Sequence, residues 1–449
     1  MNFYYLDKKI TSKSLKQIIN DDFFSSIRIG KQSLEERFSE MLGIKIQKIF
    51  HIDEIESNDY HEFILCTSNI TFKDPKVTKI FFNMLKSSAI EYVSEFKNGF
   101  IFKGTKKTLH KYINKVSEVD VYENKHIFEI ENIFDLKSII SANFHSRYFN
   151  SILKKDDKII KKSKQKTKLE AEFLFLKSIP KNLKPFYAEV YEGIDHGNLY
   201  EYSIQAYDMF DVAYQHINRS IDVHDISGLF NVLNSYFVQA MSTKIESLGT
   251  ETSEIIEKNK TRFHDLENSR IFKSLNSFLE NHKGISILSH HSRVESKLKE
   301  NEKLINSKGR VLSHGDLCFS NILFSPTDME IKLIDPRGID KSNGYRSPYY
   351  DMAKLSHSLL GDYDFIVNGM TNINFDYDMR CSNELTVNKN HNYHEIFKSF
   401  LDDFKLDLHV VRLIESSLFL SMLPLHIEDT KKVFSLALRS VEIYEDLYG

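Results

Sequence analysis

One short segment, "VLSHGDLCFSNILF" at residues 311–324, carries residue types that phosphoryl transfer requires. Asp316 follows His314 by two positions, and Asn321 lies five positions later in a polar loop between apolar runs. The runs "NILF" and "IKLID" are predicted to be two strands joined by the turn "SPTDME". This hairpin would bring Asn321, at the start of the first strand, beside Asp335, at the end of the second. Three oxygen-bearing side chains then converge on one spot.

Such a set of side chains suits the transfer of a phosphoryl group from ATP. Mg²⁺ prefers oxygen ligands and keeps water and phosphate oxygens in its shell, so one carboxylate and one amide from the protein suffice. We therefore predict Asn321 and Asp335 as Mg²⁺ ligands. Asp316 remains free to accept the proton of an acceptor hydroxyl and to aim its oxygen in line.

The segments "HGDLCFSN" and "LIDPRG" resemble the two motifs of the aminoglycoside phosphotransferase/choline kinase family, whose fold is that of the eukaryotic-like protein kinases. The resemblance covers residues from about 141 to 449 and implies an α+β, two-lobed kinase-like domain. Its small lobe would span about 141–207 and its helical lobe about 208–449. By this resemblance Asp316 is the catalytic base, and His314 orients the loop.

Two residues near the motif have roles that the resemblance leaves open. Asp351, in "SPYYDMAK", matches a family Asp that would either brace the active-site loops or contact substrate. Arg337 stands where relatives commonly carry Phe or Trp. It would either neutralise charge on substrate or phosphate, or pair with a structural carboxylate.

On the nucleotide side, the resemblance implies a strand lysine paired with a helix glutamate. The segment "DKIIKKSKQ" offers Lys161 or Lys162, which point to opposite faces of a strand. We predict Lys161, since it follows two apolar residues as in the family. Glu172 is its predicted partner, and Glu170 is the alternative.

The resemblance also implies an adenine-binding hinge in "YSIQAYDMF", where backbone groups of Gln205, Ala206 and Tyr207 would contact the base. The expected glycine-rich loop is missing from the sequence. The segment "NFHSRYFNSIL" takes its place, and its candidate phosphate contacts are Ser146, Arg147 and Asn150.

Residues 1–140 alternate strand and helix signals and are predicted to form a separate α/β domain. The stretch "IRIGKQSLEERFSEMLGI" is loosely similar to sugar nucleotidyltransferases. It is not preceded by the glycine-rich loop with which such enzymes hold nucleotide phosphates. The resemblance thus implies a degenerate domain, and a different small α/β domain is equally compatible with the pattern.

The composition narrows the class of protein. The 449 residues carry a net charge of −3, with 41% hydrophobic and 27% charged residues, as in a globular protein without the basic field of a nucleic-acid binder. The N-terminus lacks a signal-peptide pattern, and the longest apolar runs are shorter than a membrane span. The three cysteines lack metal-ligand spacing, and we expect a cytoplasmic protein, in which disulfides are not favoured. The pair "HH" at 290–291 is predicted to lie on the surface.

Together these features predict an ATP- and Mg²⁺-dependent phosphotransferase acting on a hydroxyl of a small polar metabolite. A sugar or an amino alcohol fits, and the first domain favours a role in surface polysaccharide (capsule or lipopolysaccharide) biosynthesis by analogy. The alternatives are a catalytically inactive kinase-fold binding protein, an aminoglycoside kinase or a protein kinase.

Overall fold

The chain divides into two compact units, which are described separately. One comprises Met1–Tyr148 with Asn218–Ser220, and the other Phe149–Ile217 with Ile221–Gly449. The division near residue 148 lies close to the boundary expected at about 140. The computed structural model describes residues 1–16, 22–30, 32–56, 60–72, 75–114, 127–131, 134–137, 139, 150–339, 343–386 and 393–449. The candidate phosphate contacts Ser146 and Arg147, and the side chain of Asn150, lie outside this description.

The first unit is built on a five-stranded mixed sheet. Its strands run in the order Gln47–Ile49, Asn2–Leu6, Phe63–Thr67, Phe100–Gly104 and Tyr92–Glu95. The first three are parallel, and Phe100–Gly104 is antiparallel to both of its neighbours. Two small pairs accompany the sheet: Arg28–Ile29 with Gln32–Ser33, and Ile70–Phe72 with Ile127–Glu129. The described α-helices are Lys13–Lys16, Leu34–Leu42, Pro75–Ser87 and Lys106–Ile113.

Alternating apolar side chains explain why this sheet is buried on both faces. Phe3 and Tyr5 pack into one hydrophobic cluster, and Tyr4 and Leu6 pack into another on the opposite face. The predicted α/β character of this region is therefore confirmed. The similarity to sugar nucleotidyltransferases stays a prediction.

The second unit begins with a small lobe, a four-stranded antiparallel sheet with one helix. The strand order is Asn150–Lys155, Lys158–Ser163, Tyr200–Gln205 and Val190–Asp195, and the helix is Lys166–Ser178. The first two strands form an antiparallel hairpin around the polar segment "KKDDK". Its turn residue Asp156 has a φ of 54°, a left-handed conformation that Asp tolerates well.

The rest of the second unit is a large, mainly helical lobe. A three-stranded sheet lies at its start, in the order Phe210–Asp211, Ile322–Ser325 and Glu330–Leu333. Two further strand pairs are Val311–Leu312 with Tyr345–Arg346, and Thr371–Phe375 with Cys381–Leu385. The α-helices are Val212–Ile217, Val223–Met241, Glu251–Glu267, Phe272–Lys283, Ile287–Glu300, Glu302–Ser307, Pro348–Leu359, Tyr363–Val367, Tyr393–Asp403, Leu408–Met422 and Thr430–Tyr448. The predicted two-lobed α+β arrangement is confirmed.

Three details of the large lobe differ from expectation. The Thr371–Phe375 hairpin interrupts a stretch expected to be helical. The window Leu408–Leu425 is, among the described residues, long and apolar enough to cross a membrane, but 72% of it is buried within the protein. His290 and His291 are buried rather than on the surface: His290 contacts the hydroxyl of Ser440 (2.9 Å), and His291 stacks on an aromatic ring.

Candidate active site

A short loop between two strands of the large lobe carries Asp316, and the buried His314 sets its shape. The Nε2–H of His314 donates to the carbonyl oxygen of Ile334 (2.9 Å), and its Nδ1 accepts from the backbone N–H of Asp316 (3.2 Å). Burial lowers the pKa of His314, so the ring stays neutral as these two bonds require. Gly315 has a φ of +75°, and a Cβ there would lie 2.9 Å from that of Arg337. The predicted orienting role of His314 agrees with these contacts.

Asp351 holds the same loop from the Pro348–Leu359 helix. Its carboxylate accepts hydrogen bonds from the Ser313 hydroxyl (2.6 Å), the His314 backbone N–H (2.9 Å) and the Gly315 backbone N–H (2.9 Å). The residue is only 2% exposed. Of its two predicted roles, bracing the loop is therefore the one that the contacts support.

The carboxylate of Asp316 is held by Lys354. The two groups are 2.9 Å apart, and Lys354 is itself buried. Burial alone would raise the pKa of Asp316, but the charges of Lys354 and Lys258 outweigh it and keep the pKa well below its ordinary value. Asp316 is thus a carboxylate at neutral pH, which is the form able to accept a proton.

Asn321 and Asp335 lie side by side, as the predicted hairpin requires. Ile322 pairs with Leu333, and the backbone N–H of Ile334 donates to the carbonyl oxygen of Asn321 (3.0 Å). The side-chain amide nitrogen of Asn321 donates to the backbone carbonyl of Asp316 (2.7 Å), which leaves its amide oxygen as the group able to bind a cation.

The chemistry of this donor pair fits Mg²⁺. Asp335 has a φ of 54°, in the left-handed region that Asp adopts more readily than most residues. No group of three or more His, Cys, Asp or Glu side chains that could hold a metal is found in the described parts of the chain. A cation at Asn321 and Asp335 would complete its shell with water and phosphate oxygens, as Mg²⁺ does.

The small lobe contributes the pair Lys161 and Glu172. Lys161 Nζ lies 2.6 Å from Glu172 Oε2 and 3.0 Å from Asp335 Oδ1. Burial would lower the pKa of Lys161, but the charges of Asp335 and Glu172 outweigh it and hold the pKa above its ordinary value. The side chain of Lys161 is 7% exposed, whereas that of Lys162 is 40% exposed and pairs with Glu201 on the other face. Of the two lysines, Lys161 is the one brought to Asp335.

The loop after Asp335 packs directly on the helix that carries Glu172. The backbone N–H of Ile339 donates to the carbonyl oxygen of Ala171 (3.1 Å). Gly338 has a φ of +88°, and a Cβ there would lie 2.6 Å from the carbonyl carbon of Ala171. The close approach requires glycine and couples the positions of Glu172 and Asp335.

The predicted hinge residues lie at the end of the Tyr200–Gln205 strand, between the two lobes. Two of their amides are already engaged: Gln205 N–H donates to Glu189 O (2.9 Å), and Ala206 N–H donates to Asp157 O (2.7 Å). Adenine contacts through those two N–H groups, part of the original expectation, would therefore require these bonds to break. Tyr207 accepts a bond from the Glu189 N–H (3.2 Å), consistent with a packing role.

Arg337 is exposed, and its Nη1 approaches the hydroxyl of Tyr350 (3.5 Å). Within the described residues it pairs with no carboxylate, so the structural ion pair considered from the sequence is not formed there. Sequence reasoning missed Lys354 and Tyr350. Both stand in the quoted segment "SPYYDMAK", four residues apart, so they lie on one face of a helix. That spacing was the available signal.

These elements form a two-lobed, kinase-like fold with an acidic motif between the lobes. An aminoglycoside-3'-phosphotransferase of type VIII aligns with a TM-score of 0.38 and 15% identity, over 62% of this chain and 90% of that one. Spectinomycin phosphotransferase, in complex with ADP and spectinomycin, aligns with a TM-score of 0.37 and 10% identity, over 68% and 87%. A choline kinase from Cryptosporidium parvum aligns with a TM-score of 0.37 and 11% identity, over 67% and 86%.

The chain is thus similar to aminoglycoside phosphotransferases and to a choline kinase. No protein-family model and no curated protein matches the sequence. At these TM-scores, the two lobes and the side-chain geometry, rather than the alignments, support the description of the fold.

Proposed function

We propose that this protein is an ATP- and Mg²⁺-dependent phosphotransferase that phosphorylates a hydroxyl group of a small polar metabolite. The observation that carries the proposal is the contact of Lys161 with both Glu172 and Asp335. It joins the nucleotide-side pair of the small lobe to the acidic motif of the large lobe. A chance polar loop would not account for this connection.

Each side chain has a role that its geometry allows. Asp316, ionised and fixed by Lys354, accepts the proton of the acceptor hydroxyl as its oxygen bonds to the γ-phosphorus and ADP leaves. Lys161 binds the nucleotide phosphates, while Asn321 and Asp335 would hold Mg²⁺. When bound, this ion neutralises charge on the phosphate oxygens.

The finer parts of the proposal concern substrate and location. A sugar or an amino alcohol is the proposed acceptor, and a step in surface polysaccharide biosynthesis is the proposed context, supported by analogy with fused two-domain enzymes. We also propose a cytoplasmic location. The three cysteines, which are free and buried, support it.

The test is Mg²⁺-dependent ADP release from ATP with a panel of sugars, amino alcohols and aminoglycosides. Asp316→Ala should lower turnover by about 10²- to 10⁴-fold, while calorimetry should show unchanged binding of Mg·ATP. Asp335→Ala should also weaken that binding. Asp265→Ala, which alters an exposed helix carboxylate, is the control. Full activity in both site variants would refute the assignment.

A further inference from the structure

A cluster of positive charge borders Asp316 on the side of the Pro348–Leu359 helix. Its members are Lys258 and Arg337, which both contact the hydroxyl of Tyr350, and Lys354, which contacts Asp316. Lys258 comes from the Glu251–Glu267 helix and both hydrogen-bonds to that hydroxyl and lies 5.1 Å from the centre of the Tyr350 ring.

The cluster has more positive than negative charge. Asp316 balances Lys354, but Lys258 and Arg337 have no carboxylate partner among the residues that the structure describes. Burial, followed by the charges of nearby cations, lowers the pKa of Lys258 to about 8, although Tyr350 acts in the opposite direction. Burial would raise the pKa of Tyr350, but Lys258, Lys354 and Arg337 outweigh it and bring the pKa to about 7. The lowered pKa of Tyr350 thus reflects the three cations near it, whereas that of Lys258 reflects burial first.

The position of the cluster distinguishes it from the nucleotide site. Lys161 contacts Asp335, whereas Asp316 contacts Lys354, and Tyr350 lies one helical turn before Lys354. Lys161 therefore contacts the acidic motif at Asp335 on the nucleotide side, and the cluster contacts the same motif at Asp316. Arg337 is exposed to solvent, and Lys258 is partly exposed.

We propose that Lys258, Arg337 and Tyr350 bind an anionic group, a carboxylate or a phosphate, on the acceptor molecule whose hydroxyl faces Asp316. This inference rests on the proposed function and narrows its substrate class to acidic hydroxyl compounds, such as sugar acids or sugar phosphates. A cationic amino alcohol or aminoglycoside would be repelled by the same charges. Charge-assisted bonds from a lysine and an arginine are the strong contacts for such anions.

The kinetic test compares matched acceptors: glucose with glucuronate and glucose 6-phosphate, and glycerol with glycerate and choline. An anionic member should be phosphorylated at least tenfold more efficiently than its neutral or cationic counterpart. Lys258→Met should raise the KM of that acceptor at least tenfold and leave the KM of ATP within twofold. Lys260→Met, an exposed lysine of the same helix, is the matched control. Equal turnover of neutral and anionic acceptors, or an effect of Lys258→Met on ATP alone, would overturn the inference.

A second experiment measures chemical modification of the wild-type protein, so it depends neither on turnover nor on the folding of a variant. With AMP-PNP and Mg²⁺ present in excess, wild-type protein is treated with an amine-acylating reagent, and modification of Lys258 and Lys260 is followed by mass spectrometry. Glucuronate, glycerate or glucose 6-phosphate should slow modification of Lys258 severalfold more than glucose or choline does, without affecting Lys260. Protection without any turnover would support the anion site while refuting the proposed function. No protection by any of these anions would refute the anion site, even if neutral acceptors are phosphorylated.

Discussion

Asp351→Asn tests how the loop that carries Asp316 is held. The Asp351 carboxylate accepts three hydrogen bonds, and both of its oxygens face backbone N–H groups, those of His314 and Gly315. Asparagine keeps the shape but has one acceptor oxygen, so one of these N–H groups must face an NH₂ group. A hydrogen bond to a charged group contributes about 1.5–3 kcal/mol. At about 1.4 kcal/mol per tenfold, its loss should favour opening of the loop by roughly 10- to 100-fold.

Hydrogen–deuterium exchange with mass spectrometry measures this opening directly, in a peptide that spans residues 311–318. The amides of His314 and Gly315 should exchange about 10- to 100-fold faster in Asp351→Asn than in the wild-type protein. Asp265→Asn, on an exposed helix surface, should leave the same peptide unchanged. Exchange within threefold of wild type in Asp351→Asn would show that the carboxylate does not brace the loop.

Two other substitutions test the ion pair of Lys161 with Glu172 and the buried His290. Lys161→Met should raise the KM for Mg·ATP at least tenfold, because it removes the cation between Glu172 and Asp335. Lys162→Met, on the opposite face of the strand, should leave this KM within twofold of the wild-type value. Equal effects of the two substitutions in steady-state kinetics would contradict the assignment of Lys161. His290 is neutral in the folded protein because burial lowers its pKa to about 3. Its contribution to the free energy of unfolding is therefore complete above a pH of about 6.5, where the unfolded chain is also neutral. This contribution is lost as the pH falls, by about 2 kcal/mol at pH 5. His290→Gln should therefore reduce the difference between the urea midpoints at pH 8 and pH 5, and an unchanged difference would count against a neutral buried His290.

The parts of the site that sequence could predict depend on short-range periodicity. Two apolar runs joined by a polar turn predict a hairpin, and a hairpin alone brings Asn321 to Asp335. Strand alternation separates Lys161 from Lys162 onto opposite faces, whereas the choice of Lys161 with Glu172 comes from the family resemblance.

Other features depend on helix packing over long sequence distances. Lys258 reaches Tyr350 from a helix more than ninety positions earlier in the chain, and no local spacing marks that approach. The burial of the paired histidines was predictable in principle. Ile287, His290, His291, Val294 and Leu298 follow the helical period and form one buried face. The polar neighbours of the pair obscured this pattern.

The contacts of Lys161 divide two tasks between two carboxylates. Glu172 is buried and 2.6 Å from the lysine, so it anchors the ammonium group in the cleft. The Asp335 side chain is 40% exposed, so its carboxylate is accessible to solvent, although its charge also stabilises the charged form of Lys161. In the proposed function, Asp335 would hold the cation, and Glu172 would keep Lys161 in place to bind phosphate oxygens. Because Gly338 packs against the backbone of the Glu172 helix, the loop that follows Asp335 is fixed relative to Glu172.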